Sequence, residues 1–448
     1  MDIATPTRRP FHTALSDFTA GRDTPRAYLE RCLETLTELE PSIGAFVTLN
    51  LEGARAAADR STERWRAGAP LSPIDGMPLG IKDIIETADM PTEQGSPLFV
   101  GWRTGRDAAT VAAAREAGTV VVGKTVTTEF ASTTPRGTRN PWDLERTPGG
   151  SSSGSAAAVA AGMLPAALGT QVIGSILRPA SYCGTFGFKP SVGGLNRGGS
   201  YDGLSQSCDG LLAATLEDTW TVARQISSRA GGDPGYPGLS GPMEPPPSAQ
   251  PRRLAMLETA GWAIAQPAAR YSLESAIERI RSAGIEVITR DDDPDVDELE
   301  LAIAEANPRS RKINNWEARW PLNVYRERDR AGLSEAALDR LAAAEAMTLE
   351  EYQGVIAERS RARAIYAQLA VGCDGCITLP APGPAPIGLG STGDPIFVVP
   401  GSYLGIPTFS LPIFTVDGLP LGLQVMGFEQ QDAAAFSLAS WLHQLLGD

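Results

Sequence analysis

Histidine is nearly absent from this chain: two occur among 448 residues, His12 and His443, one near each end. Neither lies near a plausible nucleophile in sequence, which argues against a Ser-His-Asp triad and against a histidine-based zinc site. Cysteine is scarce too, five residues without regular spacing, a pattern that suits reduced thiols. The one C-x-x-C, Cys373 and Cys376, has no second pair and no histidine nearby, so two small semi-buried residues are expected there. Lysine and arginine total 39 against 53 acidic residues, a formal charge of −14, and no basic run offsets it. That balance disfavours nucleic acid or an anionic membrane as the main partner. Long apolar runs are missing as well. The least polar stretch, 156–169, is too short for a membrane span and contains Pro165. The opening MDIATPTRRPFHTAL lacks the apolar core of a secretory signal, so a cytoplasmic protein is expected.

What is present is globular: 42% apolar and 21% charged residues, over a length sufficient for one large core or two to three domains. Thr24-Pro25 begins a helix by capping logic, and RAYLERCLETLTELE continues it; GARAAADRSTERWRAG follows as a second amphipathic helix. PLGIKDII (78–85) and TVVVG (119–123) read as buried strands around a helix at 108–117. Such alternation continues to about residue 228, which favours an α/β fold with a substantially parallel sheet. GGDPGYPGLSGPMEPPPSAQP (231–251) is a Pro/Gly-rich surface connector. LAMLE and IEVITR then read as strands around the helix RYSLESAIERIRSAG, 294–370 is helical and charged, and the C-terminal part returns to short strands. No internal repeat is evident.

GTVVVGKT (118–125) matches the phosphate-loop pattern letter for letter. That motif requires a strand before its first glycine and a helix after its lysine. Here a helix precedes Gly118 and a strand fills the loop positions, so nucleotide binding is rejected and Lys124 is assigned a structural role.

TPGGSSSGSA (147–156) crowds four serines and three glycines against the alanine-rich AAAVAAGM. A linker would have this composition, yet its neighbours are too apolar for solvent. Without histidine, a serine nucleophile needs another base. A buried lysine can serve, because burial disfavours the ammonium, and Lys82 in LGIKDII has the most suitable surroundings, although a strand lysine commonly reaches solvent.

Together, GIKD, RNPWDLERTPGGSSSGSAAAVAAG, the G-T-x-x-x-G-S core, RPASYCGTFGFKPS and DGLPLGLQVMG resemble, in order, the pattern of the amidase signature family. The match covers most of 25–230 and 370–427 and leaves 250–365 unanchored. The resemblance implies an α/β fold with a large mixed central sheet covered by helices on both faces. It implies a Ser–cis-Ser–Lys triad of Lys82, Ser151 (the cis-serine) and Ser175 (the nucleophile), with an oxyanion hole from the backbone N–H groups of Val172, Ile173, Gly174 and Ser175. No metal or organic cofactor is required. Ser152 is expected to support the relay and contact substrate, and Ser153 and Ser155 to cap the alanine-rich helix. The whole of 1–448 is expected to form one amidase signature domain, with a core of about 25–230 and 370–448, the loop 231–251 and a variable substrate-side segment, 252–369.

The segment GTQVIGSILR departs from the family's usual G-T-D-T-G-G-S-I-R. Ile173 narrows the oxyanion turn and adds apolar bulk at the substrate mouth. Arg178, three residues after Ser175, resembles an arrangement that binds a substrate carboxylate, with Gln171 also on the substrate side; alternatively Arg178 holds Gln171, Asp83 or a backbone carbonyl inside the fold. Trp262, Trp316, Trp320 and Tyr325 either line an apolar pocket or serve as packing residues. The expected function is hydrolysis of C–N bonds in small or aryl amides, carbamates or esters through an acyl-enzyme. The competing readings are the A subunit of a glutamyl-tRNA amidotransferase and a binding module that lost its chemistry. The expected partner is a small-molecule amide or carbamate, with no nucleic acid and no membrane; a homodimer is allowed.

Overall fold

The apolar runs become strands of one sheet in the computed structural model, which describes residues 5–132 and 134–447. In chain order the strands are β1 (Phe46–Leu49), β2 (Pro78–Lys82), β3 (Val120–Thr125), β4 (Ala166–Gln171), β5 (Phe186–Lys189), β6 (Cys208–Ala213), β7 (Arg253–Met256), β8 (Glu286–Ile288), β9 (Gly375–Thr378), β10 (Thr408–Val416) and β11 (Leu419–Met426). Across the sheet they run β1-β3-β2-β4-β6-β5-β10-β11-β9-β7-β8. Strands β2 to β6, β9 and β11 are buried at every position, which explains why they read as apolar runs without polar alternation.

Both faces are covered. Val121, Ala166 and Leu168 join one apolar cluster with Trp220 and Phe436, while their neighbours Val120, Val122 and Ala167 join another with Leu29, Ala58 and Ala157. Successive strand residues point to opposite faces, so the helices Pro25–Ile43, Leu51–Arg66 and Ser153–Ala160 lie on one side and Leu216–Ala230 and Asp432–Leu446 on the other. Thr24 caps the first helix by accepting from the Ala27 amide at 3.1 Å. All five cysteines are buried and unpaired.

The sheet is mixed, and this corrects the substantially parallel arrangement drawn from helix–strand alternation. Strand β2 is parallel to β3 and β4, and β7 to β8 and β9; the other neighbours are antiparallel. Strands β10 and β11 fold back through Asp417-Gly418, both at positive φ (52° and 76°), the geometry that Asp-Gly supplies in a two-residue hairpin. Residues 252–369 contribute β7 and β8 to the same sheet and then the helices Pro294–Ile303, Ala306–Arg328, Glu335–Glu345 and Leu349–Leu369. No helix or strand occurs in 231–252. Among the described residues no helix is long and apolar enough to cross a membrane. The helix Ala109–Glu116 precedes β3, and the Lys124 ammonium binds the Ile85 and Pro91 carbonyls and the Thr92 hydroxyl at 2.8, 3.2 and 2.6 Å; the phosphate-loop letters here spell a buried strand.

Candidate active site

Parallel strands β2 and β4 pair Ile81 with Leu168, so the C-terminal end of β2 sets Lys82 beside Thr170. Lys82 is wholly buried. Its Nζ lies 2.7 Å from Ser151 Oγ, 2.8 Å from Thr170 Oγ1 and 3.3 Å from the Thr170 carbonyl. Burial pushes its pKa down to about 7, against the partial opposition of the Asp202 and Asp209 carboxylates. In the neutral form this geometry is complete: two N–H bonds point to Thr170 and the lone pair accepts from the Ser151 hydroxyl.

Ser151 follows Gly149, at φ +82°, and the Gly150–Ser151 peptide is cis. The chain then enters the helix Ser153–Ala160, every residue of which is buried. A side chain at Gly154 would overlap the Ala45 carbonyl and the Val126 amide, so this helix packs at backbone contact. That closeness sets the fate of the serines. Ser153 Oγ donates to the Val126 carbonyl at 3.2 Å. Ser155 Oγ donates to the Leu168 carbonyl at 3.0 Å and lies 2.7 Å from Thr125 Oγ1. Neither caps the helix: both stand inside it, and Ser152 at the cap position makes no side-chain cap bond. Ser152 is fully buried and its Oγ bonds the Thr170 carbonyl at 3.3 Å, so it braces strand β4 where substrate contact was expected.

After β4 the chain makes a turn through Val172, Ile173, Gly174 and Ser175. Gln171, expected to touch substrate, is fully buried. Its Oε1 accepts from the amides of Ile176 and Leu177 at 2.9 and 3.1 Å, and its Nε2 donates to Ser402 Oγ at 3.0 Å. Ser402 in turn donates to the Ile173 carbonyl at 3.0 Å. The turn is thus held from both ends. The amides of 172–175 make no internal hydrogen bond among the described residues, and a side chain at Gly174 would overlap Val398. The Ser152 amide donates to the Ser175 carbonyl at 3.2 Å, joining the two serine segments, and Ser175 Oγ has no hydrogen-bond partner among the described residues.

This turn opens on a cavity of about 750 Å³ lined by Val172, Ile173, Gly174, Ser175 and Arg178 on one side and by Asn314, Asp339 and Arg340 on another. Arg178 Nη2 donates to the Gly150 carbonyl at 2.7 Å and to Thr392 Oγ1 at 3.0 Å, so the interior role weighed for it is real. Its buried Nε has no partner, and burial lowers its pKa to about 10. A buried guanidinium at a cavity wall, with no ion pair among the described residues, can accept an anionic group.

The structure therefore brings Lys82 and Ser151 into contact and sets Ser175, its turn and Arg178 at one cavity. The four aromatics lie elsewhere: Trp262 carries Arg270 on its face, Trp316 stacks on Tyr352, Trp320 is exposed and Tyr325 stacks on Phe130. Phe130 is the aromatic at the cavity. His12 sits by Asp218 and His443 against Phe186, both away from it. Sequence reasoning missed Thr170, Thr392 and Ser402. Thr170 lies within the G-T-x-x-x-G-S core and could have been found; the other two come from a distant segment with no signal. Among the described residues no group of histidines, cysteines and carboxylates could hold a metal.

The family profile described as Amidase matches residues 27–436. The A subunit of a glutamyl-tRNA(Gln) amidotransferase from Chloroflexus aggregans is 45% identical over 243 residues, 52% of this chain and 48% of that one; this chain spans about half the length of such relatives. The corresponding protein from Salinispora arenicola is 30% identical over 464 residues, covering 93% of this chain and 92% of its own. A crystal structure described as an amidase superposes with a TM-score of 0.85 at 28% identity, covering 98% of this chain and all of that one. The motifs, the sheet that carries them and these likenesses agree: the chain belongs to the amidase signature family.

Proposed function

We propose that this chain is a serine amidohydrolase that cleaves C–N bonds of small polar amides, with Ser175 as nucleophile and Lys82 and Ser151 as its proton relay. The observation that carries this reading is a wholly buried lysine, pushed down to about 7, with Nζ 2.7 Å from a serine hydroxyl. Neutral Lys82 takes the Ser151 proton as Ser151 takes that of Ser175. Ser175 Oγ attacks the carbonyl carbon, and the unoccupied amides of the 172–175 turn meet the oxyanion. The C–N bond breaks as the relay returns the proton to the leaving amine, and water cleaves the acyl-enzyme by the same route. Carbamates and esters pass through the same oxyanion and lie within its chemical reach. The Arg178 guanidinium favours substrates that carry a carboxylate over aryl amides, since none of the aromatics of 252–369 lines the cavity.

The test is hydrolysis of a carboxylate-bearing primary amide, an aryl anilide and an aryl carbamate, with Ser175→Ala as blank. Turnover above that blank is expected, fastest on the first substrate, and Lys82→Ala should lower kcat by about 10⁴-fold or more. A folded Lys82→Ala protein with near-normal turnover would remove the relay. A second reading, the A subunit of an amidotransferase, is favoured by the names of the relatives. It predicts co-purifying partner chains and amide nitrogen passed to one of them; a lone protein that releases free ammonia at full rate speaks against it.

A further inference from the structure

Three guanidiniums stand on the cavity that Ser175 lines: Arg178, Arg311 and Arg340. The chain carries a formal charge of −14, yet among the described residues these three bond only neutral acceptors. Arg311, Asn314 and Asn315 are spaced i, i+3, i+4 on the helix Ala306–Arg328, and Ala336, Asp339 and Arg340 repeat that spacing on Glu335–Glu345. Each helix therefore turns one face to the cavity. Arg340 Nη2 donates to the Asn314 carbonyl at 2.9 Å, which fixes the guanidinium between the two helices. Its Nε and Nη1 have no hydrogen bond among the described residues and are not closed off from solvent. Arg311 is exposed, and only its Nε is engaged, by Asn307 Oδ1 at 3.2 Å. Burial pushes the Arg340 pKa down to about 10, as it does that of Arg178, and the Arg311 charge acts on both in the same direction, so Arg311 lies within electrostatic reach of each. Two carboxylates share the cavity. Asp202 is held by Ser207 Oγ at 2.6 Å and acts on Arg340 only through space, and Asp339 is exposed.

Cations gathered without a bonded counter-ion repel one another, and a bound anion relieves them. A guanidinium matches a carboxylate in shape as well as in charge. Arg178 belongs to the segment that carries Ser175, whereas Arg311 and Arg340 come from the helical layer, so the cavity has two anchors on different elements. We infer that Arg311 and Arg340 form a distal carboxylate subsite, distinct from Arg178. On the amidohydrolase reading, on which this rests, the preferred substrate is an amide that carries two carboxylates. One is held at Arg178, and the other accepts from the free N–H groups of Arg340 and Arg311. An amide with a single carboxylate fills one anchor and leaves the other unmatched, which lets the cavity discriminate between them.

Two fixed anchors demand a ligand of matching length, which provides the test. The probes are the straight-chain dicarboxylates from malonate to suberate and the monocarboxylates of equal carbon number. Their binding to Ser175→Ala, read by calorimetry, needs no turnover and so separates this subsite from the catalytic reading. At least one dicarboxylate is expected to bind about tenfold or more tighter than its monocarboxylate, the order of one added charge-assisted contact, with an optimum of length. Arg311→Gln alters an exposed side chain and leaves the fold intact, while Arg340→Gln keeps an amide donor for the Asn314 carbonyl. Each should lower the ratio severalfold, and the double variant should bring it to about two, the value that two equivalent ends supply by number alone. A ratio of about two or less at every length, a ratio that does not vary with length, or one that survives in both variants would overturn the subsite. A dicarboxylate preference in binding, with no carboxylate-bearing amide turned over by the wild type, would overturn the amidohydrolase reading alone.

Discussion

At the scale of residues, the most consequential side chain is one that touches no substrate. Gln171 aligns the amides of Ile176 and Leu177 with one oxygen and ties Ser402 with its nitrogen, so the 172–175 turn, the proposed oxyanion hole, keeps its own amides unused. Gln171→Leu is expected to lower kcat by about 10²-fold with a smaller change in KM, the order seen when one oxyanion donor is lost. Gln171→Glu, which keeps the acceptor and forfeits the bond to Ser402, should fall between. A Leu variant whose KM rises while kcat holds would mean that Gln171 serves binding. Lys82, Ser151 and Ser175 were legible because they stand inside contiguous motifs. The brace role of Gln171 was not, since its partner Ser402 lies 231 residues away and contact at such range leaves no local pattern. Ser153 and Ser155 show the converse: the composition of a helix start invited a capping role, and backbone contact at Gly154 overrode it.

At the scale of elements, the cavity is closed on one side by a helical layer that the motifs did not anchor. Tyr325 in Ala306–Arg328 stacks on Phe130 at 5.4 Å and meets Phe99 edge-on at 5.1 Å. The amide of Ser334, the cap residue before Glu335–Glu345, donates to the Glu129 carboxylate at 3.2 Å. These contacts clamp the 306–345 helices to Glu129 and to Phe130, which lines the cavity. Aromatic pairs of this kind contribute about 0.5–1.5 kcal/mol beyond their burial. Tyr325→Ala should therefore raise KM severalfold, leave kcat closer to wild type, and speed limited proteolysis within 306–345; unchanged cleavage there with an altered kcat would refute the clamp. The sequence pattern marked 294–370 as helical and charged without dividing it into its helices. It could not reveal the surface they cover, which depends on Phe99 and Phe130, far upstream in the chain.

At the scale of the whole molecule, the mixed sheet buries charges that a simple core would exclude. Lys82 has its pKa pushed down to about 7 and Lys124 to about 8, both chiefly by burial. For Lys82 the unfolded chain binds the extra proton between about pH 7 and the ordinary lysine value, so stability rises with pH across that window, and below it the full cost of a buried ammonium is felt. Lys82→Met should consequently melt higher than wild type at pH 6, with the gap closing towards pH 10; a gap independent of pH would show that Lys82 is not neutral in the fold. The same protonation governs rate: kcat/KM should fall about tenfold per unit as pH drops below about 7. The alternation of helix and strand pointed to the two-sided burial of this sheet but not to its directions, because hairpins such as β10–β11 and parallel crossovers bury the same apolar runs. The five buried, unpaired cysteines carry one more consequence. Cys373, at 7% the most exposed of them, is the first that a colorimetric thiol reagent meets, and the other four wait for the chain to open, so the protein carries its own clock: the slow phases of colour development in native buffer time the breathing of the fold.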